Sequence, residues 1–305
     1  MNLRQLQYFV QTAETGSISK AATRLSVAQP AISRQVRSLE EELAVRLLYR
    51  NGRGVSMTEA GRILFNRARV ILDDVRRAEW EIRELAGVAT GQVTLGAPPT
   101  VSQVLVIPLI KRLLEDHPNV SLQVVEAFSG YVQEWLANGR LDVAVLYNAP
   151  RTKHLETEQL LRENLFLVTS AAGGTPPPTV DVRELESVPL VLPSPPHGLR
   201  LLVDQVAGEA GMQLKIGFEI DALPAIKELV EDGVGASILP FASVHREVSA
   251  GRMNARQIVN PRMSRTLVCA TSTQRPLSLA ARVVIGELKS VVHSLVEEGT
   301  WKGVF

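Results

Sequence analysis

Along the first third of the chain, apolar residues return every three or four positions. Leu3, Leu6, Phe9 and Val10 form one such set, which predicts a helix over residues 3–14 that ends at Thr15-Gly16. Ile18, Ala21, Ala22 and Leu25 form a second set behind Ser17, a side chain suited to capping a helix start. Ser26 and Val27 fall in a tight turn. Ala31, Ile32, Val36 and Leu39 form a third set, with Pro30 at its first positions, where a missing N–H costs nothing. The polar complement of this last helix is Gln29, Ser33, Arg34 and Arg37. Amide, hydroxyl and guanidinium groups on one exposed helix face can meet base edges and phosphates in a major groove. Residues 17–39 therefore predict a helix-turn-helix whose second helix does the reading. The plain alternative is a surface hairpin with a solvated polar face.

Residues 40–86 favour DNA. Glu40, Glu41 and Glu42 lie where the helix should leave the groove, since acids facing phosphate would be repelled. Residues 49–58 contain Asn51-Gly52, a strong hairpin-turn signal, and predict a two-stranded wing with Arg50 and Arg53 near its tip. These arginines are expected to touch phosphate or the minor groove. Thr58 then caps a helix expected to run to about Ala86. Its apolar positions Leu64, Ala68, Ile71, Val75, Ala78, Ile82 and Leu85 alternate in steps of four and three, a heptad seam that reads as a dimerisation surface. Packing against its own chain is the competing use of such a seam. Gly87 to Gly91 reads as a hinge.

From Gln92 short β-rich runs alternate with helices. Strands are expected at Val93–Ala97, Val120–Ala127, Leu141–Tyr147, Leu165–Thr169, Leu190–Leu192, Leu214–Ile220, Ala236–Leu239 and Leu267–Thr271. Helices are expected at Val101–Glu115, Gly130–Asn138, Leu199–Gly211, Ala222–Asp232, through Val248, and at Leu279–Glu298. This order predicts an α/β fold of two lobes with a cleft between them, built on a parallel sheet covered on both faces. The expected organisation is a DNA-binding head at 1–58, a linker helix and hinge at 59–90, and an effector-binding part at 91–305. Its first lobe takes in about 91–161 and 267–305, and its second about 162–266.

Charge sharpens the picture. The whole chain carries a formal +1, which suggests no nucleic acid, but residues 1–70 hold eleven Lys/Arg against five Glu, a balance of +6. The other 235 residues therefore carry −5, so a basic head precedes an acidic body. Cys269 is the only cysteine, which excludes an intrachain disulfide and suits a reducing compartment. No apolar run reaches membrane-spanning length, and the amphipathic start is not a signal peptide, so a cytoplasmic protein is expected.

These stretches carry a resemblance. Leu-Arg-Gln-Leu-Gln-Tyr-Phe from 3, Gly-Ser-Ile-Ser-Lys-Ala-Ala-Thr-Arg-Leu from 16, Ala-Gln-Pro-Ala-Ile-Ser-Arg-Gln-Val-Arg-Ser-Leu-Glu from 28 and Met57-Thr58-Glu59-Ala60-Gly61 closely resemble the LysR-type transcriptional regulators. Asn138-Gly139-Arg140-Leu141-Asp142 and the run from Gly233 to Pro240 look like the effector domain of that family. The resemblance implies a winged helix-turn-helix, a linker helix that dimerises, and two lobes like those of periplasmic solute-binding proteins. It also implies a homotetramer on an interrupted inverted repeat of promoter DNA, contact with RNA polymerase, and a small effector in the cleft rather than a fixed cofactor. Gln29, Pro30, Ser33 and Arg34 match the recognition-helix positions, and Arg50 and Arg53 the wing.

For the effector, Thr100, Ser102 and Gln103 lie where strand Val93–Ala97 gives way to a helix, whose unpaired N–H groups attract anions. Ser129 should open onto the same crevice, and His197 and Gly198 should close over it from the second lobe. The other use of Thr100 is simply to cap its helix. Pro98-Pro99 and Pro193-Ser194-Pro195-Pro196 stiffen the rim. With no Lys or Arg evidently aimed there, hydroxyls, backbone N–H groups and His197 are expected to hold a small acid or inorganic anion. An enzyme, or a solute-binding protein, with the lobes as its active part is the rival reading. His117, His154, His197, His245 and His293 show no metal-ligand spacing, and no nucleophile elbow or phosphate loop is present.

Overall fold

The computed structural model describes residues 1–51, 54–84, 88–126, 132, 134–136, 138–149 and 152–305. The chain folds as two compact units, Met1–Val88 and Ala89–Phe305.

In the first unit, α1 (Leu3–Thr15) starts at Asn2, whose side chain accepts the Gln5 amide while the Gln5 side chain accepts the Asn2 amide. Such reciprocal caps satisfy orphan donors at the helix start. Ser17 caps α2 (Ile18–Leu25), and Pro30 lies in the first turn of α3 (Gln29–Glu42). Leu6, Phe9, Ala21, Ile32, Val36 and Leu39 form one dry core beneath the three helices. Strands β1 (Leu48–Asn51) and β2 (Gly54–Met57) pair antiparallel as the wing. The long helix α4 (Glu59–Glu84) follows. It crosses the wing root so closely that a Cβ on Gly61 would overlap the Leu47 carbonyl oxygen.

The heptad seam of α4 divides. Its start packs on its own unit: Ala68 is buried, and Leu64 and Leu72 lie against the head core. Farther along, Ile71 is 37% exposed and Ile82 is 70% exposed. Among the described seam positions, exposure is thus greatest toward the far end. Leu85 and the start of the expected hinge fall outside the described residues.

The second unit opens with β3 (Gly91–Ala97), α5 (Pro99–Asp116), β4 (Val120–Glu126) and β5 (Val143–Tyr147). β4 and β5 flank β3 in parallel. The expected parallel sheet ends there. Strand β6 (Leu155–Ser170) is sixteen residues long, where the sequence suggested only 165–169. β12 (Ser264–Ser272), from far down the chain, inserts between β5 and β6 antiparallel to both. The sheet is therefore mixed. The first half of β6 escaped the alternation pattern because of a bulge: Leu267 faces Leu161 but Val268 faces Gln159, and Leu160 and Leu161 are both buried. An extra residue in a strand breaks the period of two. Past β7 (Thr179–Asp181), β8 (Pro189–Leu192) and β9 (Lys215–Glu219), strands β10 (Ser237–Pro240) and β11 (Met253–Val259) also pair with β6, again antiparallel.

Two cores result. Leu95, Leu105, Val143, Leu161, Val284 and Trp301 lie in the first lobe. Leu165, Leu167, Leu190, Val203, Ile226 and Ile238 lie in the second, where α6 (Gly198–Glu209), α7 (Leu223–Glu231) and α8 (Phe241–Ser249) pack. β6 feeds both, so it is a crossover between the lobes.

At that crossover lies an ion pair with almost no exposure. Arg265 Nε donates to Glu163 Oε1 at 2.5 Å, and the indole N–H of Trp301 donates to Glu163 Oε2 at 2.6 Å. Trp301 follows α9 (Leu279–Glu297), and the tail strand β13 (Gly303–Val304) pairs with Glu163 and Arg162. Gly303 fits there because a Cβ would meet the Arg162 carbonyl oxygen at 2.5 Å. Breaking one partner of a buried pair strands the other charge and costs about 3–5 kcal/mol. Glu163→Ala should therefore lower the unfolding free energy of the second unit by about that much in urea melts. Trp301→Phe should cost roughly 1–3 kcal/mol through the unsatisfied carboxylate oxygen. Strongly non-additive losses in the Glu163→Ala, Arg265→Met double variant are expected, because both charges then leave together.

Candidate functional site

On the DNA-facing candidate, α3 presents Gln29, Pro30, Arg34 and Arg37 in exposed positions, with Ser33 half-buried among them. The same periodicity that buries Ile32, Val36 and Leu39 leaves these side chains outside. Arg50 on the wing turns back toward the helix. Its Nη1 donates to Ser33 Oγ at 3.1 Å, and its Nη2 lies 3.7 Å from Glu40 Oε2. Glu40 also accepts the Leu47 and Leu48 amides at 2.8 and 3.1 Å, so it is committed inward. Ser19 of α2 donates to Gln29 Oε1 at 3.3 Å. Arg53 lies outside the described residues. Ser19 did not stand out in the sequence, and Glu40 stood out only as one of three acids at the helix end, since the partner of each is brought close only by the fold.

The cleft gathers a second set. Thr100 does not cap α5: the cap position is Pro98, with no side-chain cap bond. Instead Thr100 Oγ1 lies 3.2 Å from Tyr147 Oη and accepts from Arg265 Nη2 at 3.4 Å. The Arg265 guanidinium stacks 3.4 Å over the Tyr147 ring. The expectation that no Lys or Arg is aimed at Thr100 is thus corrected. Arg265 was invisible because it enters from β12, far along the chain from Thr100, two residues before the strand expected at Leu267–Thr271. Burial is the main cause that pushes the Tyr147 hydroxyl well above its usual range, so it stays a neutral phenol.

Ser102 is buried, and its Oγ has no hydrogen-bond partner among the described residues. Gln103 is exposed on the next position of the helix. Ser129 lies outside the described residues. In the second lobe, His197 is the cap of α6 and its Nδ1 accepts the Leu199 amide at 3.1 Å. That bond leaves the ring proton on Nε2. Burial lowers the His197 pKa first, the Arg265 charge lowers it further, and Asp221 opposes both. Gly198 is the exposed first residue of α6. Asp221 itself accepts the Ser194 amide and hydroxyl at 3.0 and 2.9 Å, which ties down the proline-rich rim. Thr100 thus bonds a buried guanidinium whose charge also acts on His197. Among the described residues, no group of three or more His, Cys, Asp or Glu side chains is placed to hold a metal ion.

Residues 3–62 match the bacterial regulatory helix-turn-helix profile of the lysR family, and residues 86–292 match the LysR substrate binding domain. The nitrogen assimilation regulatory protein nac of Escherichia coli K12 is 33% identical over 304 residues, covering 99% of both chains. The hydrogen peroxide-inducible genes activator of Haemophilus influenzae is 26% identical over 97% of this chain and all of its own length. Full-length CbnR, solved in complex with its target DNA, superposes with a TM-score of 0.72 at 26% identity, covering 96% of this chain and 99% of its own. The chain carries a helix-turn-helix head and a two-lobed α/β body, and it belongs to the LysR family of DNA-binding, ligand-responsive transcriptional regulators.

Proposed function

We propose that Gln29, Pro30, Ser33, Arg34 and Arg37 read the major groove of promoter DNA, with Arg50 and Arg53 supporting from the wing. The observation that carries this is the one exposed polar face of α3, which holds two arginines and an amide over a sealed core. The proposed target is an interrupted inverted repeat, because a protein pair on such DNA mirrors its symmetry. The distal seam of α4, with Ile71 and Ile82 exposed, supports a dimer, and a tetramer and contact with RNA polymerase belong to the same reading. No helix among the described residues is long and apolar enough to cross a membrane, and action in the cytoplasm is part of the proposal.

The effector is a small carboxylate or inorganic anion, held in the cleft by Thr100, Ser102, Gln103, Ser129, His197 and Gly198. Arg265 joins them as the cation. Its own charge is matched by Glu163, so a single compact anionic group suits the site better than two. A thiol-based response to peroxide is not part of this proposal. Cys269 is buried, and burial pushes its thiol up to about 12, so almost no reactive thiolate exists at neutral pH.

Arg34→Ala should cost about 1–3 kcal/mol of operator binding and relax sequence preference, measured by gel shift against operator and scrambled DNA. Arg53→Ala should weaken both DNAs alike, with a shallower salt dependence. In sedimentation runs, Ile71→Asp with Val75→Asp should dissociate the dimer; an unchanged oligomer would rule out the α4 seam. In a reporter strain, Thr100→Val with Ser129→Ala should abolish the inducer response while operator binding persists. Response at the same inducer concentration would place the effector elsewhere.

A further inference from the structure

We infer that the recognition helix presents hydrogen-bond donors to DNA, and that Ser19 and Arg50 impose this polarity by occupying the oxygens of Gln29 and Ser33. The inference rests on the DNA-reading face proposed for α3. A carboxamide and a hydroxyl can each donate or accept, so neither alone states which base edge it fits. Here the choice is made inside the protein. The Ser19 hydroxyl donates to Gln29 Oε1 at 3.3 Å, which turns the Gln29 NH₂ toward the open side. Arg50 Nη1 donates to Ser33 Oγ at 3.1 Å. Neither the Gln29 NH₂ nor the Ser33 O–H has an acceptor among the described residues. Arg34 and Arg37, exposed on the same face, can only donate.

Arg50 owes its placement to Glu40. That carboxylate is anchored by two backbone amides of the wing root and lies 3.7 Å from the guanidinium on its other oxygen. Arg50 is thereby drawn over Ser33 rather than outward. Ser19 and Arg50 are positioning residues, each acting on DNA through a neighbour.

The matching base edges are set by their chemistry. Guanine offers N7 and O6 as acceptors, and thymine offers O4. Adenine pairs an acceptor with a donor, and a glutamine reads it with both ends only when its carbonyl oxygen is free. Cytosine offers a donor, for which the Gln29 and Ser33 oxygens keep only the lone pair that Ser19 and Arg50 leave. The half-site should therefore place guanine or thymine beneath Gln29 and Ser33.

The test is selection of random DNA duplexes by the full chain, with sequencing of the selected pool and measured affinities. Gln29→Ala and Ser33→Ala first identify the positions that each side chain reads. Wild type should select guanine or thymine there and discriminate against adenine at the Gln29 position by roughly 5- to 150-fold. Ser19 is exposed, so Ser19→Ala should fold normally. It should admit adenine at the Gln29 position, with discrimination falling below about threefold, and Ser19→Thr should restore it. Arg50→Met should loosen the base choice at the Ser33 position while the salt slope stays as in wild type. A phosphate-clamping Arg50 would do the opposite, keeping the selected bases and flattening the slope by about one, and would overturn its part here. Arg50→Lys, which keeps the charge, covers the case in which Arg50→Met melts early. The inference is overturned if both variants select the wild-type bases, or if wild type selects adenine under Gln29 or cytosine under Ser33. Enrichment of no sequence by wild type would overturn the DNA-reading face itself and this inference with it, whereas an unaltered selected site removes only the latter.

Discussion

The second unit turns on one buried carboxylate. Glu163 stands on the strand that leaves one lobe and enters the other, and both of its oxygens are engaged, one by Arg265 and one by the Trp301 indole. A charge at 1% exposure survives only when paired and fully hydrogen-bonded. Satisfying it requires β12 in register beside β6, and it requires the C-terminal tail to return after α9. Lys302, the next residue, places its ammonium 3.8 Å from the Phe241 ring centroid in the second lobe. Residues more than a hundred positions apart are thus brought together at this crossover between the lobes.

That constraint reaches the cleft directly. The guanidinium that answers Glu163 also stacks on Tyr147 and donates to Thr100. Its field extends to His197 in the opposite lobe. Thr100 and Tyr147, at the candidate effector site, are therefore held by a core interaction. Preorganised donors of this kind cost less to order when a ligand arrives.

The head shows a similar economy on a smaller scale. Three helices bury one apolar cluster, and short polar bonds lock the parts that the cluster does not reach. Glu40 joins the end of α3 to the wing, Thr58 bonds the Arg46 carbonyl and caps α4, and Val55 donates to the Gly16 carbonyl. The exposed face of α3 stands on this core.

Local pattern alone set much of this. The helices of the head, the wing and the α/β succession arise from side-chain periodicity and capping chemistry, which act over a few residues. The exposed face of α3 was legible for the same reason: a helix that buries Ile32, Val36 and Leu39 must show Gln29, Arg34 and Arg37 outside. Thr100 and His197 could be placed at strand and helix ends, because those ends are local features too. Partners were not legible. A bulge at Leu160 hid half of β6, and β12 turned an expected parallel sheet into a mixed one. The seam of α4 read as one surface, yet its start is covered by the head. Arg265, Glu163, Tyr147 and Trp301 gave no sign of one another, because nothing in a run of neighbours records what burial and long-range strand pairing bring within 3 Å or so.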